Sequence, residues 1–255
     1  PDAATLGAIA GVTLGADDRI YAVDRRTGAV HVFSPAGEPQ HVCTPAPGDF
    51  KTGLTPSRAT VSDAGVVYVG RVRFGPDGAR LEGGAPKAIA IQPSCYAQRG
   101  SERLWMLGYR ALYLVDANGQ AVRTIERTPD DRWLRNLDSA GVAPDGSLAL
   151  AAGNRGDAHH GLCLYGPEGE PRGTLPRPEG MPGWSSLAFD GVRLAIPLQR
   201  EKQPGSVLLM DTSGRALGRF TPPGKVALWQ PFFAAGGKEL WLFDGERTLE
   251  RYALP

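Results

Sequence analysis

Nowhere in the 255 residues is there an apolar run of 18 or more, so no membrane-spanning helix is expected. No charge sign dominates either. With 28 basic and 27 acidic side chains the formal net charge is +1, which argues against a nucleic-acid binder that relies on a broad basic field. No charged n-region or long apolar stretch opens the chain, so no signal peptide is visible. The compartment stays open, with an extracytoplasmic, monomeric protein as the working expectation. Cysteine is scarce: Cys43, Cys95 and Cys163 are an odd number, so at least one thiol is free. Cys163 sits in the apolar run Gly161–Tyr165 and reads as a buried thiol, whereas pairing of Cys43 with Cys95 is open. A long helical period is missing, and so are a Gly-x-Ser-x-Gly elbow, a Walker loop, a Cys-x-x-Cys pair and a His-Glu-x-x-His helix.

What the chain has is turns. Its 34 glycines and 22 prolines are spread along its whole length, and 42% apolar residues suffice for a large core. One turn phrase recurs as Val32-Phe-Ser-Pro-Ala-Gly37, Arg73-Phe-Gly-Pro-Asp-Gly78, Leu114-Val-Asp-Ala-Asn-Gly119, Leu164-Tyr-Gly-Pro-Glu-Gly169 and Leu209-Met-Asp-Thr-Ser-Gly214. Its closing glycines are 41, 41, 50 and 45 residues apart. A second series interleaves with it at Asp17-Asp18, Ala64-Gly65, Arg99-Gly100, Asp145-Gly146, Asp190-Gly191 and Gly236-Gly237. Each member of that series precedes a β-rich run such as Arg103-Leu-Trp-Met106 or Glu239-Leu-Trp-Leu-Phe243. Two hairpin turns per period of about 45 residues mean four short strands per unit, the blade of a β-propeller.

The expectation is therefore an all-β, six-bladed propeller of four-stranded antiparallel blades, one domain over residues 1–255. Its blades are predicted at about 8–43, 56–83, 87–127, 137–175, 184–221 and 226–254. The last unit has room for three strands, so residues near Ala3–Gly7 are expected to close the ring.

The blade phrases Ser139-Ala-Gly-Val-Ala-Pro-Asp-Gly-Ser-Leu-Ala-Leu150 and Ser185-Ser-Leu-Ala-Phe-Asp-Gly-Val-Arg-Leu-Ala195 resemble the six-bladed group of NHL-repeat, SMP30/gluconolactonase and related TolB-like proteins. SMP30-like enzymes hold a divalent metal on Glu, Asn and Asp near the axis. Here the first inner strand, Ala8-Ile-Ala-Gly-Val12, offers no Glu. Ser57-Arg58 stands in place of Asn-Asp, and Met181-Pro-Gly-Trp184 in place of a ligand Asp, leaving only Asn136 to carry over. The resemblance thus implies the fold without the metal, and no cofactor is expected.

In such a propeller the tight turns share one face, and the long connections share the other, around the mouth of the central channel. Function concentrates in varied loops on a rigid frame. The long connections bring Phe50, Lys51, Arg58, Arg132, Trp133, Arg135, Asn136, Trp184, Lys225, Trp229 and Gln230, joined by Tyr109-Arg110, Asn154–His160 and Gln199–Gln203. From these the candidate ligand-binding set is Arg58, Arg110, Arg132, Arg135, Asn136, Asn154, His159, His160, Trp184, Trp229 and Gln230. Aromatics with arginines and amides suit a protein, peptide or glycan partner. Each also has a plainer reading: Trp184 and Trp229 as packing between blades, Arg132 as an ion pair with Asp130 or Asp131, and Arg58, Arg135 and Asn136 as partners of buried carbonyls. His159-His160 with Asp157 is the sharpest hint of a metal, but neighbours on an extended chain point to opposite sides and rarely reach one ion. The expected function is a binding module using the loop-rich face; the alternative is a lyase or hydrolase at the channel mouth.

Overall fold

The computed structural model describes residues 8–50, 58–70, 72–82, 94–98, 101–108, 110–116, 120–135, 137–152, 161–181, 186–199, 204–222, 229–234, 236–245 and 248–254. They form 23 strands in six antiparallel sheets and, among the described residues, no helix. Blade 1 is β1 (Ile9–Leu14), β2 (Ile20–Asp24), β3 (Val30–Phe33) and β4 (Pro39–Cys43). Blade 2 is β5 (Ala59–Val61), β6 (Val67–Val69), β7 (Val72–Phe74) and β8 (Arg80–Leu81). Blade 3 is β9 (Ser94–Ala97), β10 (Leu104–Leu107), β11 (Leu112–Val115) and β12 (Ala121–Ile125). Blade 4 is β13 (Leu137–Val142), β14 (Leu148–Ala152), β15 (Leu162–Tyr165) and β16 (Pro171–Leu175). Blade 5 is β17 (Ala188–Phe189), β18 (Arg193–Leu198), β19 (Ser206–Asp211) and β20 (Ala216–Phe220). Blade 6 has three strands, β21 (Gln230–Phe233), β22 (Glu239–Phe243) and β23 (Leu249–Ala253). The chain is a six-bladed β-propeller.

The repeated turn phrases do what their chemistry requires. Gly37, Gly78, Gly169 and Gly214 close the outer hairpins with φ between 81° and 89°, a region where a side chain is strained. The pairs closed by Gly37, Gly169 and Gly214, β3–β4, β15–β16 and β19–β20, each carry a register slip at the turn end, as does β11–β12, whose Gly119 lies outside the described residues. In the inner series Gly65, Gly146, Gly191 and Gly237 also have positive φ, and blade 1 uses Asp18 at φ 59° in the same role. Short polar side chains tolerate that geometry best after glycine.

The core is split into six wedges, one between each pair of adjacent blades. Val30, Val32, Val67 and Phe74 fill the wedge between blades 1 and 2, and Tyr68, Leu104 and Met106 that between 2 and 3. Trp105, Leu112, Leu148 and Leu150 join blades 3 and 4, while Leu162, Leu164, Leu194 and Ile196 join 4 and 5. Leu209, Phe233, Leu240 and Leu242 bind 5 to 6. The ring closes where Val12, Ala22, Ile20 and Phe33 of blade 1 meet Phe232, Phe243 and Leu249 of blade 6. The closing strand expected near Ala3–Gly7 lies outside the described residues.

Cys163 is buried and free, as its apolar surroundings suggest. Cys43 is also buried and free, so the open pairing with Cys95 is not made. Both sit at 0% exposure in wedge clusters, and burial pushes the Cys43 thiol up to about 11 and the Cys163 thiol up to about 12. Such thiols are inert near neutral pH.

Candidate functional site

Each blade's first strand (β1, β5, β9, β13, β17, β21) pairs with a neighbour along one edge only. Those six free edges face the axis and present main-chain N–H and C=O groups to the channel. Neighbouring blades satisfy some of them. The Thr13 hydroxyl donates to the Ala59 carbonyl at 2.6 Å, and the Ala140 N–H donates to the Tyr96 hydroxyl oxygen at 3.1 Å. Inner strands come close enough that a Cβ on Gly141 would lie 2.7 Å from the Phe189 nitrogen.

The six strands enclose a cavity of about 330 Å³. Thr13, Thr60, Tyr96, Leu187 and Phe232 contribute to its wall. Arg58 lines it at the start of β5, and Asp63 and Asp190 line it beyond the ends of β5 and β17. Residues of the tight turns, Ala16, Gly236 and Gly237, complete the lining, so the cavity reaches the short-turn face. Asp190 is occupied: its carboxylate accepts from the Arg193 N–H at 2.6 Å and pairs with the Arg193 guanidinium at 2.8 Å. Asp63 also has an interaction. Arg58, half-buried, has no hydrogen-bond or ion-pair partner among the described residues.

The candidate residues of the loop-rich face divide sharply. Arg132 is exposed and ion-paired with Asp130 at 3.0 Å, the plainer of its two readings. Arg110 is exposed on the β10–β11 connection and is engaged in an interaction. Arg135 is exposed, just before β13. Trp229 is only 2% exposed; its indole fills the wedge between blades 5 and 6 with Ala188, Phe233 and Leu240. It therefore serves as packing, because an inner strand's start is swallowed by the adjoining blade. Gln230, next along, is half-buried and its Oε1 is enclosed with no hydrogen-bond partner among the described residues. Asn136, Asn154, His159, His160 and Trp184 lie outside the described residues.

One residue outside the candidate set emerges here. Trp133 is 53% exposed on the connection between blades 3 and 4. That connection is itself a hairpin: Leu134 N–H donates to the Glu126 carbonyl at 2.8 Å, Arg127 and Trp133 bridge, and Thr128 N–H donates to the Arg132 carbonyl at 2.8 Å. Asp131 takes φ 64° at its tip, with its N–H donating to the Thr128 carbonyl at 3.0 Å. The Thr128 hydroxyl donates to Asp130 at 2.6 Å, and its oxygen accepts from the Arg132 N–H at 2.9 Å. Two anchors fix the hairpin to the body: Leu134, 1% exposed, and the Tyr165 hydroxyl, which donates to the Arg127 carbonyl at 3.0 Å. The Arg127 guanidinium stacks 4.2 Å from the centre of the Trp133 ring and pairs with Asp131 at 3.2 Å. A sequence signal did exist: Thr128-Pro-Asp-Asp131 is a turn, and Arg127 and Trp133 flank it as cross-strand neighbours.

No family model matches the sequence, and no curated protein resembles it closely enough to count as a relative. Solved structures do resemble the fold. A streptogramin B lyase shares 11% identity at a TM-score of 0.61, over 94% of this chain and 77% of that one. A chain of a mitotic checkpoint complex shares 12% identity at a TM-score of 0.60, over 96% and 74%. Dihydro-heme d1 dehydrogenase NirN shares 17% identity at a TM-score of 0.53, over 92% of this chain and 51% of that one, so this chain spans about half its length. At these identities the likeness speaks for the propeller alone, a scaffold that serves both binding and catalysis.

Proposed function

We propose that this propeller is a binding module whose protein, peptide or glycan partner docks on the loop-rich face. The observation that carries the reading is Trp133, a half-exposed indole held on a strapped hairpin. A buried core residue would have no need of that strap, and an exposed tryptophan fixed before contact loses little conformational freedom on binding. Tryptophans of this kind dominate interface energetics. The hairpin's charges cancel in pairs, Arg127 with Asp131 and Arg132 with Asp130, so stacking on the open indole surface outweighs charge attraction. A pyranose ring or an aromatic or proline side chain suits such a surface. The blade phrases, which resemble those of the NHL-repeat and SMP30-like group, fit this scaffold role equally well.

The test is a glycan and peptide array followed by titration of the best hit against Trp133→Ala. Loss of roughly tenfold or more in affinity, with an unchanged melting temperature, is the expected result. Equal affinity in the folded variant would sink the reading.

A further inference from the structure

We propose that the central channel is a second, separate site, for a small hydroxylated carboxylate anchored by Arg58. Three observations combine. The cavity of about 330 Å³ matches a small molecule rather than a polypeptide segment. Its wall is made of the inner edges of six first strands, which pair with a neighbour on one side only, so main-chain donors and acceptors line it beyond those that Thr13 and Tyr96 already engage. A ligand bearing several hydroxyls satisfies such a ring, whereas an apolar one leaves main-chain groups unpaired. Third, Arg58 lines the cavity with no partner among the described residues, while Asp63 and Asp190 line the opposite end.

The channel is therefore polarised along its axis. Arg58 precedes β5 and Asp63 lies in the turn after it, so the two stand at opposite ends of that strand. A carboxylate is drawn to the Arg58 end, since a guanidinium can offer two parallel N–H donors, whereas the carboxylates at the other end offer it none. The hydroxyl-bearing body then lies along the strand edges. This site does not involve Trp133, so it stands or falls apart from the docking reading.

Quinate, a ring with several hydroxyls and one carboxylate, is the probe; myo-inositol is its neutral counterpart. Binding of each to the whole chain is measured by saturation-transfer NMR and calorimetry, with melting temperature as the check on folding. Quinate is expected to bind the native chain at least roughly tenfold more tightly than myo-inositol. Arg58→Ala is expected to abolish that preference, and Arg58→Lys to restore part of it, since a point charge replaces the two-pronged contact. No quinate binding to the native chain, equal affinity for the two probes, or unchanged quinate affinity in folded Arg58→Ala and Arg58→Lys would each overturn the proposal.

Discussion

At the scale of single residues, the left-handed glycines carry more than turn geometry. Gly146 has φ 85°, and its carbonyl accepts from the Trp105 indole N–H at 3.0 Å and the Gln98 amide at 3.2 Å, both from the preceding blade. A Cβ there would lie 3.1 Å from Pro167 and 3.2 Å from Gln98. Gly214 has a nearly equal φ of 89° but meets only Leu175, at 3.8 Å. Gly214→Ala is thus expected to cost about 1 kcal/mol, the backbone share alone, and Gly146→Ala about 2 kcal/mol or more. Chemical denaturation of both variants checks this; equal losses would show that the inter-blade contact at Gly146 contributes nothing.

At the scale of elements, the inner strands meet near the axis, and that crowding sets which residues they can hold. Gly141 in β13 lies against Leu187, Ala188 and Phe189 at the front of blade 5, with no room for a methyl group. Gly141→Ala is expected to lower stability by about 1–3 kcal/mol, because two strands must part to admit it. A thermal melt decides the point, and an unchanged transition would mean the blades separate at no cost. The hairpin at residues 126–134 shows the converse. A connection between blades became an element of its own once its turn, bridge and anchors agreed, and it placed Trp133 in solvent.

At the scale of the whole molecule, buried and hydrogen-bonded ionisable groups tie stability to pH. The Ser213 hydroxyl foremost, with the N–H groups of Arg215 and Ser213, holds the Asp211 carboxyl at about 2. Arg80 holds Asp49 low, and Thr128 does the same for Asp130. Burial, against the pull of Asp24, lowers His31; burial and Arg19, against Asp77, lower His41. In every case the unfolded chain binds the proton more readily, so stability rises with pH. The histidine contribution is complete above about 6.5 and fades as pH falls below it. The carboxylate contribution is complete above about pH 4 and is lost towards pH 2. Melting temperature is expected to decline in two stages on acidification, with His31→Gln plus His41→Gln removing the first. A flat profile between pH 7 and pH 5 in the native chain would contradict the first stage.

The six-bladed plan was legible in the residues because it rests on local chemistry. Glycine at positive φ, Asx turns and short β-branched runs act over a few neighbours, so their spacing reports the blade period directly. Even the short sixth blade could be read from the residues left after Phe243. Burial such as that of Cys163 and pairing such as that of Arg132 were legible where neighbours in sequence decide them, but not where strands far apart in sequence do. Trp133 and Trp229 both sit in connections between blades, yet one is in solvent and the other inside a wedge. Arg132 found Asp130 two residues away, whereas Arg58 faces a cavity assembled from six strands. The repeats determined the scaffold; the channel, its polarity and the exposed indole were decided by tertiary structure, since only closure of the ring brings those groups to a common surface.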